Sequence, residues 1–407
     1  MKKAIKIIFI TLLSLIALII IAFTVLFVLF RDDIKNMKEP NFVTLTPTTE
    51  ELDNKALIAS MDLPDSIRRN LEDYDYLVSF VEENYAPFSA IMEKGYEQEY
   101  RAMRKQLRQQ VSQGEVGIEK AAGDYVFWFY SRFDRHISIN TDAFIKAADM
   151  NFPMSREIVE YAPKAVSCKV DSCTWLIRVP SCNLSFIERT NDAFQQFVES
   201  GCKNLIIDVR GNTGGSDRVW DNYFTALYDH FGNPSFSWFR NTPENLKGWE
   251  QGLEMYPSNP SAKRIRAFVK KCKSSKEKFK LWGMRDGDTG LQPMVHIHRA
   301  AVITDWYTAS AAESLVEFVK NYSDRAKVYG ICNTNGSDIT GNCWWGTLPN
   351  SKIGFQYPTS VDSEFFDHDF SGTPGIAPDI IIPLPYATTL TDNIDEWVLW
   401  VAEDLKR

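Results

Sequence analysis

Metal-binding signatures are missing from this 407-residue chain, whose seven cysteines and five histidines nowhere fall at zinc-like spacing. Neither a GxxxxGK(S/T) run nor a GxGxxG run is present, which excludes the two common phosphate-cradling loops and leaves no cofactor implied. Positive charge is not in excess: the net charge of -8 gives no electrostatic case for nucleic-acid binding. The one basic cluster, "KRIRAFVKKCKSSKEKFK" at 263–280, reads as a solvated helix face. Beyond the first thirty residues there is no long apolar run, and nowhere an internal repeat. What remains is an acidic chain with 44% hydrophobic and 13% aromatic residues, ample for a large core.

The N-terminus differs from everything after it. "MKKAIK" is basic, and Ile7 to Phe30 is apolar except for Thr11, Ser14 and Thr24. About 20 apolar residues suffice to cross a hydrocarbon core ~30 Å thick. Lys2, Lys3 and Lys6 precede the run and Arg31, Asp32 and Asp33 follow it, which puts the N-terminus in the cytoplasm. No small-x-small cleavage site lies near Phe30, and no cysteine there could carry a lipid. The expectation is a transmembrane signal anchor over 1–30, a juxtamembrane linker over 31–65, and an extracytoplasmic remainder. In an oxidising compartment Cys168 and Cys173, or Cys332 and Cys343, could close short disulfide loops.

From Pro64 the pattern turns helical, with Leu71, Tyr74, Leu77, Val81 and Tyr85 at three- to four-residue spacing. Further helices are expected over 97–112 and 116–132, so 66–140 reads as a helical module ending in the strand-like "FDRHISIN". Apolar runs at 175–179, 205–209, 299–304 and 326–330 alternate with helical patterns at 190–200 and 309–321. That alternation predicts an α/β core over 141–407 built on a mainly parallel sheet flanked by helices. Residues 218–295 interrupt the rhythm and read as an insertion suited to a lid or substrate wall.

Two stretches carry chemistry. "LIIDVRGNTGGS" (205–216) runs a buried strand into Gly214 and Gly215, where glycines let the chain turn sharply and leave N–H groups uncovered. "AAVITDWYTASAAESLVEF" (300–318) breaks a strand and sets Ser310 at the mouth of a helix, followed by small residues. A serine there is a cap or a nucleophile, and a nucleophile needs a base and oxyanion donors. The N–H of Ala311 and one from Gly214 or Gly215 are candidates, because loops after different strands converge at one sheet edge. Glu313, one turn on, reads as a first-turn carboxylate that stabilises the helix N-terminus. Asp208 and Arg210 read as an ion pair or loop clamp.

"LIIDVRGNTGG", "VITDWYTASAAESLV", "AKVYG" and "GIAPDIIIP", in that order and preceded by "EDYDYLVSFVEENYAPF" and "FDRHISI", resemble the blocks of the C-terminal processing (tail-specific) serine peptidases. The same superfamily includes the tricorn core and the repeats of the retinoid-binding protein of the photoreceptor matrix. The resemblance implies a ClpP/crotonase-like core, a polypeptide substrate and Ser310 as nucleophile. It implies His136 as general base, because "GICNTNGSDITG" (330–341) lacks the lysine of the bacterial branch and Lys327 lies outside that motif. The spacing leaves no room for a PDZ domain, and places this chain with the branch that lacks one. The group orienting His136 is unassigned: Asp134 shares its face if the segment is a strand, and Glu364, Asp367 and Asp369 lie near the place of the tricorn-branch glutamate, while Arg135 stands where that branch has serine. The expected activity is a membrane-anchored serine endopeptidase; the alternative is a degenerate relative that binds ligands or peptides.

Overall fold

Runs of Val, Ile and Leu bounded by short turns build two sheets. In a computed structural model, which describes residues 40–150, 164–230, 235–285, 297–370, 372, 374–386 and 394–407, the strands are β1 Ser138–Ile139, β2 Val166–Lys169, β3 Thr174–Arg178, β4 Asn204–Asp208, β5 Ser235–Arg240, β6 Phe279–Arg285, β7 Arg299–Ile303, β8 Ala326–Gly330, β9 Thr340–Thr347, β10 Gly354–Asp362 and β11 Ile380–Ile381. The first sheet has the order β11-β8-β7-β4-β3-β2 and is parallel except for β2, which pairs antiparallel with β3. Its central strands are buried on both faces, as covered parallel sheets require. Leu205, Ile207 and Val302 point to one side, against Leu315, Val316 and Val319 of the helix Ala311–Tyr322. Ile206, Ala301 and Ile303 point to the other, against Trp397, Val398 and Val401 of the helix Glu396–Asp404. Each buried Leu, Ile or Val among them contributes about 1.5–3 kcal/mol.

The second sheet departs from the mainly parallel expectation. It runs β1-β10-β5-β6, with β9 on the other side of β10, and every pairing is antiparallel. β5 and β6 come from the 218–295 segment, so part of that segment is sheet core and not only a lid. Its helices Pro243–Met255 and Ala262–Lys273 pack Leu246, Trp249 and Phe268 onto Phe239 of β5.

The expected helices of the N-terminal module are present at Asp65–Asn84, Glu97–Ser112 and Ile118–Tyr130. They pack as part of one compact unit, 41–407. Phe80 sets its ring edge-on to Phe355 and Tyr357 of β10, each 5.0 Å away between centroids. Tyr85 packs on Phe129 at 5.3 Å. The interval expected to be linker contains a further helix, Thr49–Ala59, whose start is fixed by the Thr48–Glu51 capping box. The apolar run 7–30 lies outside the described residues. Among the described residues no helix is long and apolar enough to cross a membrane.

All seven cysteines are free. The hairpin register sets Leu176, not Cys173, opposite Cys168. Cys343 lies in β9 opposite Pro358, whereas Cys332 follows β8 of the other sheet, so neither short disulfide forms.

Candidate active site

Asp305 sets the path of the chain between β7 and the helix that follows. Its carboxylate accepts from Tyr307 N at 2.9 Å and Thr308 N at 3.0 Å, and from Gly211 N at 3.0 and 3.1 Å. The loop after β4 and the loop after β7 are thereby locked together at the carboxyl end of the sheet. Ala309 N adds a bond to Asn212 O at 3.0 Å. At the end of this turn Ser310 holds φ +53° and ψ -123°, a backbone conformation that L-residues seldom adopt, and its side chain is only partly buried.

Glu313 explains how that strained residue is held. It is fully buried and accepts five hydrogen bonds: from Ser310 N, Ser337 N and Ser337 Oγ at 2.9 Å, Gly336 N at 2.7 Å and Thr334 Oγ1 at 2.6 Å. Ser310 N also donates to Ser337 Oγ at 2.9 Å. The carboxylate therefore ties the loop 334–337 to the serine, beyond the capping role read from its position.

The glycine pair lies against the same residue. Gly214 has φ +93°, and a Cβ there would stand 2.7 Å from both Ala309 O and Ser310 Cβ, so only glycine fits. Its N–H is already used, donating to Asn212 Oδ1 at 2.9 Å. The N–H groups of Gly215 and Ala311 have no hydrogen-bond partner among the described residues, and Ala311 opens the helix, whose dipole favours negative charge.

His136 comes from the turn after the helix Ile118–Tyr130, not from a strand. Its Nδ1 lies 2.7 Å from Thr340 Oγ1, and that hydroxyl lies 2.7 Å from Asp134 Oδ1. Asp134 also accepts from His136 N at 2.9 Å and from Tyr85 Oη at 3.1 Å. Burial pushes the Tyr85 phenol well above its ordinary value, which keeps it a donor. With three donors converging on the carboxylate, Thr340 gives its single proton to Asp134. Its lone pair then accepts Nδ1–H from His136, and Nε2 is left bare. Direct contact of Asp134 with the ring is too long at 3.8 Å. The orienting pair is thus Thr340 and Asp134. Glu364 bonds the Ser235 hydroxyl instead, and neither Asp367 nor Asp369 bonds the imidazole. Lys327 is exposed on β8.

No direct hydrogen bond joins Ser310 to His136 in this structure, but their supports adjoin. Ser337, bonded to Ser310, precedes Thr340 by three residues, a span of at most ~11 Å. The Arg135 guanidinium lies 4.3 Å from the centroid of the Trp306 ring, in the loop that leads to Ser310.

Behind the site is a buried clamp. Asp208 accepts from Arg178 Nε at 2.7 Å and Arg210 Nε at 2.9 Å. Arg210 also reaches Asp395 at 2.7 Å, which caps the helix Glu396–Asp404 by accepting from Trp397 N at 3.0 Å. Burial alone would raise the Asp208 carboxyl, but the Arg210 and Arg178 guanidinium groups hold it well below the usual carboxylate range. This is the loop clamp expected of Asp208 and Arg210. Among the described residues no group of three His, Cys, Asp or Glu side chains is placed to hold a metal ion.

A strained, partly exposed serine, an imidazole with a free Nε2 and two unpaired amides are the parts of a serine hydrolase. The model of peptidase family S41 matches residues 174–382, just over half of the chain, and the chain belongs to that family. It is a serine-type peptidase. No curated protein sequence matches it. Among solved structures it is similar to mature CPAF, with 13% identity over 84% of this chain and 96% of that one and a TM-score of 0.52. It is also similar to mature CPAF complexed with lactacystin, with 12% identity over 78% and 94% of the two chains and a TM-score of 0.51. Those likenesses speak to the fold.

Proposed function

We propose that this chain is an endopeptidase anchored by its N-terminal apolar run, with the catalytic unit outside the cytoplasm, and that Ser310 and His136 perform the cleavage. The observation that carries the reading is the chain His136 Nδ1–Thr340 Oγ1–Asp134, which leaves Nε2 bare on a ring held at 2.7 Å by a hydroxyl that is itself held at 2.7 Å by the carboxylate. Ser310 Oγ attacks the scissile carbonyl while Nε2 takes its proton. The oxyanion is received by the N–H groups of Gly215 and Ala311, while Gly214 supplies the space for close approach. His136 then gives the proton to the leaving amine, and water, deprotonated by the same nitrogen, releases the acyl group and restores the serine. The Ser310–His136 bond forms when substrate closes the site, since such bonds are often long without ligand.

Hydrolysis of an unstructured polypeptide tests this. Ser310→Ala and His136→Ala should each lower kcat by about 10³-fold or more. Undiminished turnover in Ser310→Ala would remove the serine from the mechanism.

A further inference from the structure

Between the relay aspartate and the base stands a cation with no carboxylate of its own among the described residues. Arg135 makes no ion pair among the described residues. Its guanidinium is held between two rings, 4.3 Å from the centroid of Trp306 and 5.4 Å from that of Tyr130. Nε is buried and bonded to nothing. Glu313 acts on it electrostatically, but both Glu313 oxygens are taken by the five donors that hold the Ser310 loop. Leaving a buried donor unmade is costly, and desolvating a guanidinium without an anion more so. Burial accordingly pushes this arginine below its ordinary range, and the Tyr130 phenol above its own. Two aromatic faces fix the plane of the fork, which suits it to an oxyanion, and the oxyanion a polypeptide carries is a carboxylate. Arg135 is only partly exposed, so a ligand reaches it from the side open to solvent.

We propose that Arg135 binds a carboxylate of the polypeptide substrate, either a free C-terminal carboxylate or an Asp or Glu side chain flanking the scissile bond. The inference rests on the reading of Ser310 and His136 as the cleaving pair, since Arg135 adjoins His136 in the chain and its guanidinium lies against Trp306 of the loop that leads to Ser310. It makes Arg135 a specificity residue.

The test is steady-state kinetics of the full chain on sequence-matched peptides. One pair differs in a C-terminal acid or amide, the other in Asp or Glu against Asn or Gln beside the cleavage site. The wild type should prefer the carboxylate member of one pair by about 10- to 100-fold in kcat/KM, the range of a charged hydrogen bond, and the pair that responds identifies the source. Arg135→Gln should erase that preference through KM with kcat kept, and Arg135→Lys should restore part of it. Equal cleavage of acid and amide by the wild type, a measurement that needs no variant to fold, overturns the proposal and leaves the peptidase reading intact. So does a Gln variant that loses kcat equally on all peptides. No cleavage of any peptide by the wild type removes the proposed catalytic pair, and the Arg135 inference with it.

Discussion

Thr340 has one proton and two lone pairs, and in this site each has an assigned use: the proton goes to Asp134 and a lone pair receives His136 Nδ1–H. Thr340→Val keeps the shape and removes both contacts, so the imidazole loses its tautomer. We expect kcat to fall by about 10²–10⁴, the scale seen when a base loses its orienting carboxylate, with KM little changed and Thr340→Ser close to wild type. Melting curves of both variants separate this from the about 1–3 kcal/mol that an unmet buried donor or acceptor costs. An unaltered kcat in Thr340→Val would take the relay out of the mechanism. Ser310 and His136 were legible in the sequence because each sits in a block whose neighbours mark it. Thr340 was not, because it lies 204 residues from His136 in a stretch that carries no mark of its own. Asp134 was legible only as one of several carboxylates. The strand face that was to present it is in fact a turn, and its hold on the imidazole passes through the threonine. Glu313 was read as half of its role. Four of its five donor groups belong to Thr334, Gly336 and Ser337, beyond the following strand, and helix position alone does not show them.

Elements were legible where one period dominates. The central strands of the parallel sheet are short, apolar on both faces and bounded by turn residues, and the helices of the N-terminal module repeat their apolar face over several turns. The antiparallel sheet was hidden. β9 carries two glycines and Asn342 at φ +52°, and β5 and β6 lie in a segment whose aromatics read as a substrate wall. The clamp behind the site joins β3, β4 and the C-terminal helix, and it gives a prediction at this scale. Asp208 titrates lower in the folded chain than in the unfolded one, where a carboxyl sits near ~3.9. Asp171 is likewise lowered, to about 2: burial opposes the shift, and bonds from Cys173 N and Lys406 outweigh it. The folded state therefore binds fewer protons, so this stability is complete above about pH 5 and is lost as pH falls. Thermal melts should drop steeply between about pH 5 and 2. Asp208→Asn, which leaves Arg178 and Arg210 short of a counter-charge, should cost about 3–5 kcal/mol at neutral pH and flatten that dependence. A variant that keeps both wild-type stability and wild-type acid sensitivity would contradict the clamp.

For the whole molecule, the anchor and the catalytic unit are separable claims. Residues 41–407 form a compact unit with its own cores. Expressed without the first forty residues, the chain should stay in the supernatant and cleave polypeptide with a kcat/KM within about threefold of the full chain. The full chain should pellet with membranes, resist extraction by high salt and alkali, and be digested by added protease from the extracytoplasmic side only. Salt-extractable full chain would contradict the anchor and leave the peptidase untouched.

The central claim is that Ser310 is an activated nucleophile, and its most direct test is intact-protein mass spectrometry after exposure to a serine-directed phosphonate. One adduct per chain is expected, mapped to the peptide carrying Ser310, absent in Ser310→Ala and formed at least 10²-fold more slowly in His136→Ala. An adduct on another serine, or a wild-type chain that cleaves polypeptide and remains unlabelled at Ser310, would contradict it.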